Sequence, residues 1–214
     1  MNDLASLLKD NLKDIKNLPA SQQKEILALM EELQSSKDKD AARKNFLPFV
    51  NLMWPSFIHG RHHEIMAEAF ERVASGKLKR LIINMPPRHT KSEFASYLFP
   101  AWFLGQFPDK KVIQTAHTAE LSVGFGRKVR NLIQNNDFQS VFPGIELSTD
   151  SKAAGRWNTN KRGDYFAIGV GGAVTGKGAD ILIIDDPHSE QEATMGEYNP
   201  EVYNKVYEWY TSGP

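Results

Sequence analysis

Cysteine is absent from the 214 residues, which removes disulfides and thiolate metal sites and fits a reducing, cytosolic compartment. Net charge is absent too. The 26 Lys and Arg balance the 26 Asp and Glu, so the field of the whole chain selects neither nucleic acid nor an anionic surface. Local polarity survives that balance: residues 77–91 carry Lys77, Lys79, Arg80, Arg88 and Lys91 and no acid, and any basic face would begin there. No apolar run reaches the roughly 18 residues of a membrane span, and the opening MNDLASLLKDNLKD has neither a basic leader nor a small-residue cleavage site. The expectation is a chain that is neither exported nor membrane-bound. No internal repeat is visible, and the length suits one α/β domain with a helical appendage.

The first 55 residues read as a helical segment, with Leu4, Leu7, Leu8, Leu12 and Ile15, then Ile26, Met30 and Leu33 behind an N-cap at Ser21, all at helical spacing. Such leucine stripes ordinarily face a core. The polar run from Ser35 to Asp40 reads as an exposed connector. A further helix is expected from Arg61 to Ser75, with Gly76 as its left-handed C-cap. Beyond it the pattern alternates: an apolar strand at 81–85, a helix from Lys91 kinked or shortened at Pro100, a strand at 112–115, a helix at 120–134, and strands at 165–170 and 181–184. That alternation predicts an α/β fold around a mainly parallel sheet with right-handed crossovers. A glycine-rich loop, Gly171 to Gly178, lies between the last two strands at one rim of the sheet.

Two stretches carry chemistry. A phosphate-binding loop ordinarily reads Gly, four residues, Gly-Lys-Ser/Thr, its backbone amides and helix start wrapping the phosphates while the lysine neutralises them. Here the corresponding residues are Met85-Pro86-Pro87-Arg88-His89-Thr90-Lys91-Ser92, with Met85 and Thr90 where the glycines belong. A strand before, a helix after and Lys91-Ser92 at the helix start keep the physical parts. Lys91 would hold the β- and γ-phosphates, Ser92 would ligate Mg²⁺, and the amides from His89 to Ser92 would form the anion nest. Alone, Lys-Ser is better explained by a basic helix start. The second stretch is Ile181-Leu182-Ile183-Ile184-Asp185-Asp186, four aliphatics that deliver two carboxylates to a strand's C-terminal rim, where open α/β sheets bind ligands. Asp185 would hold Mg²⁺ and Asp186 would orient or deprotonate an attacking water. Alone, this is a solvated turn. Together the two make nucleotide hydrolysis the better reading.

The decapeptide Asn84-Met85-Pro86-Pro87-Arg88-His89-Thr90-Lys91-Ser92-Glu93 resembles the variant Walker A motif of tailed-bacteriophage terminase large subunits, and GVGGAVTGKGADILIIDDP, residues 169–187, resembles that family's Walker B motif with its glycine-rich approach. The stretches FIHGRHH (57–63) and WYTSGP (209–214) are similar to the family as well, so the resemblance runs over residues 45–214.

The resemblance implies a three-layer P-loop NTPase core of the additional-strand, conserved-glutamate type over residues 56–214. It also implies a coupling segment, a last core strand and an RNase H-like nuclease domain beyond Pro214. The missing strand would leave residues 81–85 as an exposed apolar edge. The implied activity is ATP hydrolysis with Mg²⁺, driving double-stranded viral DNA into a procapsid. The implied partners are that DNA, the portal protein, the small terminase subunit and further copies in a homo-oligomeric ring, with a pentamer as the candidate count. The implied place is the host cytoplasm, docked transiently on the procapsid. Pro87, Arg88, His89, Thr90, Lys91, Ser92 and Glu93 would line the nucleotide. His62 or His63 would stand where related motors read the adenine edge, helix capping being the competing role. Many members have Glu after the Mg²⁺ aspartate; Asp186 is one methylene shorter, and Glu190 and Glu192 stand nearby. For the arginine that stabilises the transferred phosphoryl group, Arg88 matches a position within the loop. Arg156, expected on a loop before the third strand, is the candidate supplied in trans, ahead of Arg127 and Arg130. A superfamily 2 helicase-like translocase shares these motifs, and a catalytically silent piece that binds portal or DNA is the alternative from another class.

Overall fold

The computed structural model describes residues 18–212 apart from 175. The helix expected over Leu4 to Ile15 lies outside them. Three helices come first: α1 (Ala20–Lys44), α2 (Phe46–Met53) and α3 (Arg61–Ala74). The start of α1 differs from expectation, since its N-cap is Pro19 and makes no side-chain bond. The Ser35 to Asp40 connector is also overturned, because α1 runs straight through it. Lys, Gln, Glu and Leu are strong helix formers, and Gln34 bonds Asp38 at 2.8 Å while Arg43 pairs with Asp40 at 2.6 Å across single turns. Of the expected stripe, Ile26 and Met30 are half-buried and Leu33 is exposed, and Ala42 is the fully buried residue of α1.

The core begins at Phe46. Its ring lies 5.5 Å from Phe70, 5.6 Å from Phe94, 5.9 Å from Phe99 and 5.6 Å from Trp102, most of them edge-on, the arrangement that aromatic quadrupoles favour. Polar ties pin α1 and α2 to this cluster, with Phe46 N–H donating to Glu71 at 2.7 Å and Trp102 Nε1 donating to Ala42 O at 3.0 Å. After α3, whose exit uses Gly76 in the left-handed region as expected, the chain runs extended through residues 81–85 without pairing to any described strand. This corrects the strand expected there. Leu81, Ile83 and Met85 lean on the core while Ile82 is 86% exposed. Apolar alternation is present, but a strand needs a neighbour to bond to.

A π-helical stretch, Glu93–Leu98, follows the loop and runs into α4 (Phe99–Gln106), which Pro100 opens from its first turn instead of kinking. Then come β1 (Lys111–Ala116), α5 (Ala119–Ile133), α6 (Asn136–Val141), β2 (Leu147–Lys152), β3 (Arg156–Thr159), β4 (Asp164–Gly169), β5 (Ile181–Ile184), α7 (Glu190–Gly196) and α8 (Glu201–Ser212). The five strands form a mixed sheet in the order β2-β3-β4-β1-β5. Its centre, β4-β1-β5, is parallel as expected. The β2 and β3 strands are antiparallel additions that the sequence reading left out. The outermost parallel strand, at the edge of the sheet, is therefore β5, not residues 81–85.

Helix α5 covers the face bearing Tyr165 and Ala167. A Cβ at Gly126 would meet Ala154 O at 2.6 Å, so only glycine permits this approach, and Trp157 Nε1 donates to Gly126 O at 3.1 Å. On the opposite face the glycine-rich loop lies against Ile168 and places Lys177 3.8 Å from the Phe166 ring centre, and Trp209 of α8 ties it down by donating to Gly172 O at 2.9 Å. Among the described residues no helix is long and apolar enough to cross a membrane.

Candidate functional site

The two stretches singled out in the sequence meet. Residues 86–90 form a loop between the extended segment and the helix that begins at Lys91. In it Arg88 (φ 64) and Thr90 (φ 63) adopt the left-handed conformation. Thr90 occupies a glycine position of the ordinary phosphate loop, so the shape glycine supplies there is kept by a β-branched residue, at a cost of about 1–2 kcal/mol. Phe94 N–H donates to Thr90 O at 3.0 Å, closing the first helical turn. The amides between them, of Lys91, Ser92 and Glu93, belong to the first turn and have no intrahelical acceptor.

Asp185 and Asp186 follow β5 and are anchored by β1: Asp185 N–H donates to Thr115 O at 2.9 Å and His117 N–H donates to Asp186 O at 3.2 Å. This puts both carboxylates at the C-terminal end of the parallel strands. Lys91 Nζ stands 3.3 Å from Asp185 Oδ1 and donates a short hydrogen bond to Asp186. Burial pulls the lysine's proton affinity down, but the bond to Asp186 and the charges of both aspartates outweigh it and hold the pKa above 10.5. Asp186 is itself left-handed (φ 42).

Asp185 is only 6% exposed, and its second oxygen accepts from Ser96 Oγ at 2.8 Å. Ser96 in turn accepts from Gln114 Nε2 at 3.2 Å. Gln114 Oε1 and Thr115 Oγ1 are buried without a hydrogen-bond partner just beneath. The residue bonded to Asp185 is thus Ser96, one turn beyond Ser92. Neither Ser96 nor Gln114 figured in the sequence reading. The signal for Ser96 was its spacing of four from Ser92, which places two hydroxyls on one helix side; Gln114, inside an apolar strand, offered a polar residue with no evident solvent face.

His63 is 4% exposed. Its Nδ1 accepts from Gly60 N–H at 2.9 Å and its Nε2 lies 2.7 Å from Thr90 Oγ1. Burial, aided by neighbouring His62 and His59, pushes its pKa down to about 4. Both ring nitrogens are occupied, the first in capping α3, so an adenine edge would have to displace one of these bonds.

The remaining candidates divide. His89 and Pro87 are exposed on the loop, with His89 Nδ1 2.9 Å from Pro87 O. Arg88 is exposed and has no ion-pair partner among the described residues. Glu93 turns away to accept from Lys128 of α5 at 2.7 Å. Arg156 begins β3 and is not on a loop; its guanidinium sits 6.0 Å from the Phe166 ring centre on the face away from α5. No described contact joins it to Lys91, Asp185 or Asp186. Arg127 is exposed on α5 and Arg130 bonds Asn131. Glu192 is used in the α7 capping box with Ser189.

Among the described residues no cluster of three or more His, Cys, Asp or Glu side chains forms a metal cage. A divalent ion fits only where a ligand supplies oxygens, as Mg²⁺ usually requires. The Lys91 ammonium already balances Asp185 and Asp186, and Ser92 lies at the same helix start. No known protein family, curated protein or solved structure matches this chain.

Proposed function

We propose that this chain is an ATP-hydrolysing motor domain with a P-loop NTPase core, of the kind found in phage terminase large subunits. The observation that carries the reading is the meeting of Lys91, at a helix start behind a left-handed loop, with Asp185 and Asp186 at the end of β5. In this reading the first-turn amides and Lys91 bind the β- and γ-phosphates. Lys91 must leave Asp186 to do so, and that exchange frees the Asp186 carboxylate to orient water for in-line attack on the γ-phosphorus. Asp185, held by Ser96, and Ser92 would hold Mg²⁺, which when bound neutralises charge on the β- and γ-phosphate oxygens. Arg88, exposed beside the loop, can swing to the γ-phosphate. The DNA, portal and small-subunit partners, the ring and the procapsid rest on the motif resemblance alone.

Two observations favour the silent alternative: Asp186 is tied to Lys91, and Arg156 lies away from the pair. Titration calorimetry with ATP and Mg²⁺ tests the binding half of the proposal. Micromolar-range binding lost in Lys91→Ala is expected, and equal affinity in both proteins sinks it. Steady-state phosphate release, with and without duplex DNA, tests the motor half. Binding without any turnover, at every protein and DNA concentration, favours the silent piece.

A further inference from the structure

We propose that His63 is a positioning residue that locks the nucleotide loop, donating from Nε2 to Thr90 Oγ1 and so doing by a hydrogen bond what glycine at that position does by conformational freedom. The nucleotide part of this inference rests on the function proposed above; the loop part does not.

The proton inventory has one consistent solution. His63 Nδ1 faces the Gly60 N–H at 2.9 Å and can only accept, so a neutral ring carries its proton on Nε2. Nε2 then donates across 2.7 Å to Thr90 Oγ1, and that hydroxyl spends its own proton on His89 O at 2.6 Å. The relay Gly60, His63, Thr90, His89 thus links the start of α3 to the loop's crest. The ring cannot turn away. Phe57 packs at 4.6 Å and Phe94 at 5.0 Å between centroids, and His62 lies at 3.7 Å.

The lock sits where it is needed. Left-handed backbone is uncommon for a β-branched residue, and Thr90 holds it directly before Lys91, whose ammonium faces Asp185 and Asp186. Fixing the Thr90 side chain from both sides fixes the direction in which the chain enters the helix. A glycine would reach the same φ without help. A threonine without the His63 donor would relax toward ordinary φ and carry the first-turn amides with it.

The test is a rescue cycle. His63→Phe keeps the aromatic packing and removes the donor; it should weaken binding of ATP with Mg²⁺ about tenfold, the scale of one lost positioning hydrogen bond. Adding Thr90→Gly should restore affinity to that of Thr90→Gly alone, since glycine needs no lock. Weakened binding without rescue would mean that His63 merely packs, and overturns the proposal, as does unchanged affinity in His63→Phe. Two readouts need no nucleotide: the ¹⁵N shifts of the His63 ring, expected to show Nδ1 bare and Nε2 protonated, and amide exchange of residues 88–92, expected to quicken in His63→Phe. If the wild type binds no nucleotide, the functional reading fails and these two alone decide the lock. The opposite tautomer, or equal exchange in both proteins, refutes it.

Discussion

Acid should unfold this protein earlier than its carboxylates alone would, and His63 is the reason. A free imidazole takes its proton near 6.5, whereas burial, with His62 and His59 alongside, moves His63 to about 4. The folded affinity is the lower one, so the unfolded chain binds the extra proton across that window and stability falls as pH falls through it. At about 1.4 kcal/mol per decade of proton affinity, the loss is roughly 2 kcal/mol by pH 5 and about 3 kcal/mol by pH 4. Urea unfolding midpoints measured between about pH 7 and pH 5 check this, with His63→Gln as the partner protein. That variant is expected to be less stable at neutral pH and to have the flatter profile. The exposed His62, His59 and His89 and the Glu64 that pairs with His59 are common to both proteins. Parallel profiles, agreeing within about 0.5 kcal/mol over the window, would refute the reasoning, because a buried neutral imidazole cannot be indifferent to protons.

Lys91→Ala should cost about 1–3 kcal/mol of stability, below the figure for a fully buried pair because Asp186 is largely solvated; thermal melts read it. Since Lys91 is protonated more tightly when folded, its contribution is full below pH 10.5 and fades above it, so an alkaline melt series should show that decay in the wild type and not in the variant. Ser96→Ala removes the donor to Asp185 and the acceptor of Gln114 and should lower stability by about 1–2 kcal/mol; a neutral result would show that water replaces the hydroxyl. Arg156→Ala should leave stability within about 0.5 kcal/mol, since the side chain is exposed over Phe166. If it serves a neighbouring subunit, its turnover should recover on mixing with Lys91→Ala subunits, and brisk turnover by a dilute monomer of the variant would remove it from the mechanism.

The parts of this fold that were legible had a local cause. The β1, β4 and β5 strands are short apolar runs bounded by polar turns, and α3 and α5 show a helical stripe with the Gly76 stop or the Thr118 cap. The β2 and β3 strands read as Leu-Ser-Thr-Asp-Ser-Lys and Arg-Trp-Asn-Thr; their polar residues carry no strand signal, and Trp157 declares itself through tertiary contacts, its stack on Tyr165 at 4.7 Å and its bond to Gly126 O. Residues 81–85 fail in the other direction, because strand formation is a property of pairs and apolar composition cannot announce a partner. In the site, Lys91, Asp185 and Asp186 were visible because charge at the end of an apolar element is conspicuous. Ser96 and Gln114 left only the faint local marks of a serine spacing and a polar residue in an apolar strand, and the bond between His63 and Thr90 joins residues far apart in sequence through neutral groups, which leaves none.

The π-helical stretch gives the helix after the loop two phases. Phe99 N–H reaches back five residues to Phe94 O, so the turn holds one residue more than an α-helix would. Phe94, Ser96 and Leu98 are all buried there, and every residue from Phe99 to Gly105 after them. At 100° per residue, the same residues in an unbroken α-helix would turn α4 by about a quarter turn relative to Lys91. The extra residue acts as a phase adjuster between the charged end and the packed end. Forcing the same residues 93–98 into α-helical spacing would leave composition and hydrophobicity untouched, yet would rotate the two ends against each other by about a quarter turn, and engineering of this helix is therefore constrained by count before it is constrained by chemistry.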